Sequence, residues 1–567
     1  MLAIHTEDIK IASHDLGEIC RIASFILLVP IPVAFLCLES YDLSPLLRKI
    51  SIFLIPSFVL YLLYLGFKKI RVETPPRTKH MMITVSIAWL IVALIGAFPY
   101  TLSGTLDPMD SFFESMSGWT TTGMTMIQFP ENIDKCILFY RGLTQWVGGV
   151  GIIVLALVVF MRRGTVAMDY YASEVGEQRI KPRLKSTVSE TWKIYSVYTT
   201  ACIILLYIGG MGIFDAVAHS FSALSTGGFS THSENVGYFN AHPNGLMIHT
   251  ILIIFMIIGA ISFLLHFRLF EGKYEVIIKN IELRYMISIL FIAILITSLC
   301  LYSVGENLVE TIRDSMFQMV AAMTCTGFSI VDIGGWPDIP QTLIMLLMYI
   351  GGLYGSTAGG IKILRLVLIV QVIHHSLKKL LLPKTAVLRM KISGKQLEGS
   401  EIIYVFGLSS VYLIVAIVGG LILMGSGYTE IQSMSLSLSA MGNVGLTAVS
   451  GEYLFSIDAL SVEENLSKGI VSEELKSVFE TKEFPLSENA IIRKEKENAW
   501  RITNEEYVYI IEKKDRTLEI YTENPWFQTP IIGKITLALL MWIGRLEVFP
   551  VLILFASIVY KRKSRKI

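Results

Sequence analysis

Ten apolar runs dominate this chain, near residues 21–38, 50–67, 81–102, 137–160, 192–213, 246–265, 285–304, 341–372, 401–425 and 531–560. Most approach the ~20 residues that a helix needs to cross the hydrocarbon of a bilayer. A soluble domain would show shorter runs at amphipathic spacing. The composition agrees, with 53% hydrophobic and 17% charged residues. The sequence therefore reads as an all-α integral membrane protein. Its first run, Ile22 to Leu38, lacks a basic flank and a small-residue cleavage site, and reads as a retained helix.

If all ten runs span, both termini lie on one side. The intervening loops then fall into two sets. Residues 67–80, 161–193, 266–284, 361–396 and 560–567 hold 29 Lys and Arg, whereas 39–50, 101–136, 214–245, 304–341 and 425–451 hold 4. Positive charge gathers on the cytoplasmic side of a membrane protein, so both termini are expected in the cytoplasm. The cysteines at 20, 37, 136, 202, 300 and 325 form no CxxC pair and read as small core residues.

Residues 452–529 break the apolar pattern, with 17 acidic and 10 basic side chains. Within them, "WRITNEEYVYIIEKKDRTLEIY" (500–521) alternates apolar and polar residues around "KKDR", the pattern of a β-hairpin. The topology puts this small insert outside the cell.

Four short tracts between apolar runs share one register: "DSFFESMSGWTTTGMT" (110–125), "DAVAHSFSALSTGGFS" (215–230), "DSMFQMVAAMTCTGFS" (314–329) and "QSMSLSLSAMGNVGLT" (432–447). Asp110, Asp215 and Asp314 each stand thirteen positions before a glycine (Gly123, Gly228, Gly327), and Gln432 stands thirteen before Gly445. Two positions after each glycine comes a hydroxyl, at Thr125, Ser230, Ser329 and Thr447. The middle of each tract is about half a membrane span long. Each therefore reads as a short re-entrant helix, with its Asp as the cap, that returns as extended backbone. Non-helical backbone at that depth is tolerated only where it is buried in protein or lines a wet cavity. Four copies around one axis would offer a ring of carbonyls to a cation, with glycine permitting the positive φ that turns them inward. The competing reading is close helix packing by small residues.

The long helix after each tract carries a matching glycine, in "QWVGG" (145–149), "MIIGA" (256–260), "MYIGG" (348–352) and "MWIGR" (541–545). Arg545 then occupies the place of Gly149, Ala260 and Gly352, and an intramembrane arginine is costly and usually functional. "GGLYGSTAGG" (351–360) puts five glycines into what should be continuous helix. Lys362 and Arg365 read as cytoplasmic anchors or as part of the same element. Asp107, Asp110, Glu114, Asp332 and Asp338 would enrich cations at the outer mouth.

The tracts "TTTGMT", "STGGFS", "TCTGFS" and "GNVGLT", with "YGSTAGGIKILR" (354–365) and "WIGRLEVF" (542–549), resemble the Trk/Ktr/HKT superfamily of potassium transporters, most closely its Trk membrane (pore) subunits. The resemblance covers nearly the whole chain except 452–529. It implies a K⁺ selectivity filter at Thr121, Thr122, Gly123, Thr226, Gly227, Gly228, Cys325, Thr326, Gly327, Asn443, Val444 and Gly445. It implies an intramembrane gate built from Gly351, Gly352, Gly355, Ser356, Thr357, Gly359 and Gly360 with Arg545 facing the pore. It also implies a homodimer in the cell membrane that binds a cytosolic ring of nucleotide-binding (NAD, ATP or ADP) regulatory subunits. No cofactor and no nucleic acid are expected; K⁺ is the cargo and membrane lipid the surroundings.

The expected organisation is two N-terminal helices (1–79) and four pore repeats at 80–165, 190–275, 281–385 and 398–567, the last interrupted by 452–529. Each tract has a single aligned glycine followed by Met124, Phe229, Phe328 or Leu446, so nothing reproduces the TVGYG loop of tetrameric potassium channels. Within the family, serine at the first glycine goes with Na⁺, and Gly123 argues for K⁺. A secondary transporter built on inverted repeats fits less well, because these four repeats run in one direction. A membrane enzyme would need a motif such as HExxH or a phosphate loop, and neither occurs.

Overall fold

The computed structural model describes residues 6–36, 43–70, 78–155, 184–305, 307–382, 391–392, 395–396 and 399–449, with parts of 453–529 and all of 530–564. Cys37, most of the basic stretch 161–193, and residues 383–390 and 565–567 lie outside that description, as do parts of the domain boundaries drawn above. The chain divides into two compact units. One comprises 1–331, 337–446 and 531–567, and the other 332–336 and 447–530.

Among the described residues of the first unit, six helices are long and apolar enough to cross a membrane, or eight if two bent pairs each count as one span. That is fewer than ten for identifiable reasons. The run at 137–160 forms helix Lys135–Leu155, beyond which the description stops. The run at 341–372 is split into Asp338–Ile350 and Ile363–Leu381. Breaks also occur where no glycine cluster announces them. Gly245–Ala260 and Phe263–Phe270 meet at 102°, and Ile531–Arg545 meets the following helix at 108°. At the second bend Glu547 and Val548 adopt φ of 54° and 67°, left-handed values that end a helix, and Pro550 starts the next within its first turn.

Helices Thr6–Ile26 and Leu43–Lys68 build an apolar seam with Lys135–Leu155. Leu16, Cys20, Ala23, Phe53 and Leu60 are buried there with Tyr140, whose ring meets Phe53 edge-on at 5.6 Å. These helices expose Phe25, Leu54 and Phe58, and helices Ile281–Ser303 and Gly399–Met424 expose Phe291, Leu299, Ile403 and Leu421. Such surfaces would aggregate in water and are stable against acyl chains.

Four short helices stop well short of a span: Pro108–Trp119, Ile213–Ser225, Leu308–Met323 and Glu430–Gly442, with 12, 13, 16 and 13 residues. Their N-caps are Asp107, Gly212, Asn307 and Thr429. The expectation that Asp110, Asp215 and Asp314 are caps is therefore corrected. Asp110 accepts from Lys534 Nζ at 2.5 Å, Asp215 from Thr231 Oγ1 at 2.7 Å, and Asp314 from Arg313 Nε at 2.6 Å. The first acts as a link to the helix at 531–545. The second ties a short helix to its own returning strand.

The second unit contains a five-stranded antiparallel sheet. Its strands are Tyr453–Asp458, Ile491–Lys496, Ala499–Thr503, Val508–Lys514 and Thr517–Thr522, and in space the first lies beside the last. Trp500 pairs with Ile511, which pairs with Ile520, and Tyr509 pairs with Ile502. Trp500, Ile502, Tyr509 and Ile511 are buried, and Phe479 meets the Tyr509 ring at 5.0 Å. This alternation is what a one-sided sheet core demands.

So small a core has little reserve. Trp500→Ala should remove about 3–5 kcal/mol from it. Limited proteolysis is expected to cut the variant within 453–529 while the helical unit stays intact; cleavage as slow as wild type would contradict this core.

Candidate functional site

The chain turns sharply at the end of each short helix, and the turns share one backbone pattern. Thr121, Thr226, Cys325 and Asn443 have φ between 53° and 55°, and two residues later Gly123, Gly228, Gly327 and Gly445 have φ between 78° and 95°. Left-handed backbone at non-glycine residues is rare and held only by its surroundings. Here it occurs four times in one register.

The four turns meet in a closed ring. A Cβ placed on Gly123 would come within 3.0 Å of the Gly227 carbonyl oxygen. One on Gly228 would do so at Thr326, one on Gly327 at Val444, and one on Gly445 at Thr122, which returns to the first turn. Each glycine thus abuts the carbonyl that precedes the next turn's glycine. No side chain fits at any of the four contacts, so glycine is required for close approach as well as for φ.

Side chains behind the ring hold it. Gln145 Nε2 donates to the Gly227 carbonyl at 2.5 Å and its Oε1 accepts from Phe229 N at 3.1 Å. Asn443 Nδ2 donates to Thr122 Oγ1 at 3.0 Å and to the Met541 carbonyl at 2.9 Å. Asn235 Nδ2 donates to the Gly228 carbonyl at 3.3 Å. The hydroxyls two residues past the glycines brace the returning strands. Thr125 donates to Glu114 at 3.0 Å, Ser230 lies 3.0 Å from His219 Nε2, and Ser329 accepts from Gln318 Nε2 at 3.2 Å. Glu114, expected among the mouth charges, is fully buried instead, in an ion pair with Arg141.

The matching glycines of the long helices receive the short-helix ends. A Cβ on Gly148, Gly259 or Gly544 would strike the carbonyl of Trp119, Leu224 or Met441, each four residues before its ring glycine. The third repeat differs, because Gly351 faces Gly359 instead. There the helix ends at Ile350 and none resumes until Ile363. Gly351, Gly355 and Gly360 take φ of 72°, 75° and 74°.

This segment 351–362 packs against the second repeat. Thr357 Oγ1 lies 2.9 Å from the Gly259 carbonyl and 3.2 Å from Thr226 Oγ1. Leu353 N donates to the Ala260 carbonyl at 3.0 Å, and the Gly355 carbonyl accepts from Phe263 N at 3.1 Å. Ser356 Oγ caps the Leu353 carbonyl at 2.6 Å. Gly352 crowds Ala358 and Ala260, and Gly359 abuts the Gly442 carbonyl. Lys362 and Arg365 are buried and are not surface anchors. Lys362 Nζ donates to the Ala358 carbonyl, and Arg365 pairs with Glu547 at 2.5 Å.

Arg545 sits where Gly149, Ala260 and Gly352 stand in the other repeats, and it is 2% exposed. Its Nη1 donates to the Thr357 carbonyl and its Nη2 to the Gly148 carbonyl, both at 2.9 Å. One guanidinium thereby joins three of the four repeats.

Gln145, Arg141 and the buried state of Glu114 were missed by sequence reading. A signal existed: against the matching glycines, Gln145 aligns with Met256, Met348 and Met541, and Arg141 with Leu252, Ile344 and Leu537.

Broken apolar helices around a closed ring of glycine turns are the architecture of a multi-pass membrane transport protein. The family model for TrkH, a cation transport protein, matches residues 51–456, and the chain belongs to that family. It is 32% identical over 559 residues to an uncharacterized cation transporter of Methanocaldococcus jannaschii, covering 98% of this chain and 97% of that one. It is 34% identical over 378 residues to the Trk system potassium uptake protein TrkH of Escherichia coli K12, covering 65% and 77%. The crystal structure of the potassium transporter TrkH from Vibrio parahaemolyticus superposes with a TM-score of 0.73 at 26% identity, covering 96% of this chain and 98% of that one.

Gly123→Ala forces a Cβ against the Gly227 carbonyl at a positive φ and should cost roughly 1–3 kcal/mol. Gly66→Ala meets nothing within 4 Å in its helix. Thermal unfolding should fall for the first and hold or rise slightly for the second; equal behaviour would contradict the close approach.

Proposed function

We propose that this protein takes up potassium across the cell membrane through a channel-like pore. Its selectivity filter is the ring formed by residues 121–123, 226–228, 325–327 and 443–445. The carrying observation is the cyclic approach of the four glycines to their neighbours' carbonyls. Carbonyl oxygens in a ring replace the water around a dehydrated cation, and four helix C-termini aimed at one place add negative potential. The printed names of the Escherichia coli and Vibrio relatives point to K⁺ as the cargo. Gly123, where serine would favour Na⁺, agrees.

In this reading the repeats run 80–165, 190–275, 281–385 and 398–567 behind two N-terminal helices, with both termini cytoplasmic and 452–529 outside. The loop Gly351 to Gly360 is the gate, and Arg545 holds it shut. Thr357 and the Gly355 carbonyl of the loop bond to the second and fourth repeats, so its displacement must break the bond from Arg545 to the Thr357 carbonyl. The subunit works as a homodimer under a cytosolic nucleotide-binding ring. Lipid surrounds it, and no cofactor or nucleic acid takes part.

The test is flux through purified protein in liposomes, with reversal potentials in opposed K⁺ and Na⁺ gradients. K⁺-selective flux is expected. Gly123→Ser should shift preference toward Na⁺ or abolish K⁺ flux; an unchanged ratio in a folded variant removes this glycine from the filter.

Arg545→Ala unties Thr357 and Gly148 and removes a positive charge from the pathway, and each lost bond to a carbonyl is worth about 1–3 kcal/mol. K⁺ conductance should rise severalfold with selectivity near wild type. Lower conductance from an intact dimer would contradict the gate.

A further inference from the structure

We infer that Arg141 and Glu114 are positioning residues for ion selectivity, locking the first and second loops of the ring to one another; this rests on reading that ring as the filter. Both side chains are sealed from solvent, at 2% and 0% exposure. Glu114 lies on the short helix Pro108–Trp119 and serves only its own loop. Its Oε1 accepts from Thr125 Oγ1 at 3.0 Å and from Arg141 Nε at 2.8 Å, and its Oε2 accepts from Met126 N at 2.8 Å. Arg141 lies on the long helix that follows and reaches both loops. Its Nη2 donates to Thr125 Oγ1 and its Nη1 to the Ser230 carbonyl, both at 3.0 Å. Its guanidinium carbon sits 4.2 Å from the centre of the Phe229 ring.

Gln145 stands one helical turn further along the same helix face. Together Arg141 and Gln145 grip the second loop at three nearby backbone groups, the Gly227 carbonyl, Phe229 N and the Ser230 carbonyl. Phe229 and Ser230 directly follow the ring glycine Gly228. A small movement of Arg141 therefore moves the carbonyls beside it.

Among the described residues, no other pair of loops in the ring is tied by an ion pair. The second and third loops are joined by neutral groups: Asn235 donates to the Gly228 carbonyl and accepts from Ser329 N, both at 3.3 Å, Gly237 N donates to the Ser329 carbonyl at 3.0 Å, and Asn240 Nδ2 to the Ile330 carbonyl at 2.8 Å. The fourth and first are joined through Asn443 and Thr122. At the position of Glu114 the later repeats carry His219, Gln318 and Leu436, and at that of Arg141 they carry Leu252, Ile344 and Leu537, all buried. Aliphatic residues thus suffice at the Arg141 position in three repeats, and at both positions in the fourth. The charged pair in the first does something that packing alone does not ask for. A buried pair adds little net stability over well-packed apolar groups, yet its hydrogen bonds fix geometry tightly.

That contrast supplies the test. The double variant Glu114→Leu/Arg141→Leu copies the fourth repeat, where Leu436 and Leu537 stand. It should fold and dimerise, with a lower unfolding temperature because the Met126 amide and the Ser230 carbonyl lose their partners. Its K⁺/Na⁺ permeability ratio should fall about tenfold, the equivalent of one charge-assisted hydrogen bond. A wild-type ratio from the folded double variant overturns the inference. Gly123→Ser is measured in parallel. If it shifts selectivity while the double variant does not, the pair is structural and the filter reading survives. If neither shifts, the filter reading fails and the inference fails with it. Should the double variant not fold, Arg141→Lys decides, because an ammonium keeps the charge but cannot span Glu114, Thr125 and Ser230 as the fork does. A reduced ratio supports positioning; an unchanged one overturns it.

Discussion

Backbone carbonyls and amides left unpaired in hydrocarbon cost several kcal/mol each, so a membrane protein keeps non-helical backbone only where protein or enclosed water satisfies it. Among the described residues, this chain places non-helical backbone inside its helical unit at the four turns, at 351–362 and at the two bends. Everything around those segments answers that constraint. Glycines let the turns approach one another. Gln145, Asn235, Asn443, Thr357 and Arg545 fill the hydrogen-bonding positions that helices would otherwise have filled. The proposed filter uses the carbonyls of the ring itself, two of which, at Gly227 and Gly228, also accept from Gln145 and Asn235.

The four repeats use this plan unequally. The first carries Glu114, Arg141 and Gln145 against the ring, the third gives up its helix to a loop, and the fourth contributes Arg545 to that loop. Fourfold regularity in the glycines therefore coexists with side chains that differ at every seam. A single chain permits this where four identical subunits would not, since each position can be adjusted separately.

The sequence made the four turns visible because the backbone leaves no alternative to glycine at Gly123, Gly228, Gly327 and Gly445, and a fixed spacing repeats wherever that need repeats. The interruption at 351–360 was visible for the same reason. The bend at Glu547 and Val548 was not, because the left-handed residues there are not glycines and only tertiary contacts hold them. Asp110, Asp215 and Asp314 were misread as caps because a carboxylate near a helix start looks alike whether it bonds to its own backbone or to Lys534, 424 residues away. Arg141 escaped notice because its partners stand 27 and 89 residues distant, beyond the reach of any local pattern.

The central claim is that the carbonyls of Thr122, Gly227, Thr326 and Val444 surround a dehydrated K⁺. Crystals of the protein grown with Tl⁺ or Rb⁺ in place of K⁺ test it directly through anomalous scattering. The account predicts a peak on the axis those four carbonyls encircle, weakened when Na⁺ replaces the heavy cation. A peak elsewhere in the helical unit, with none inside the ring, would contradict it.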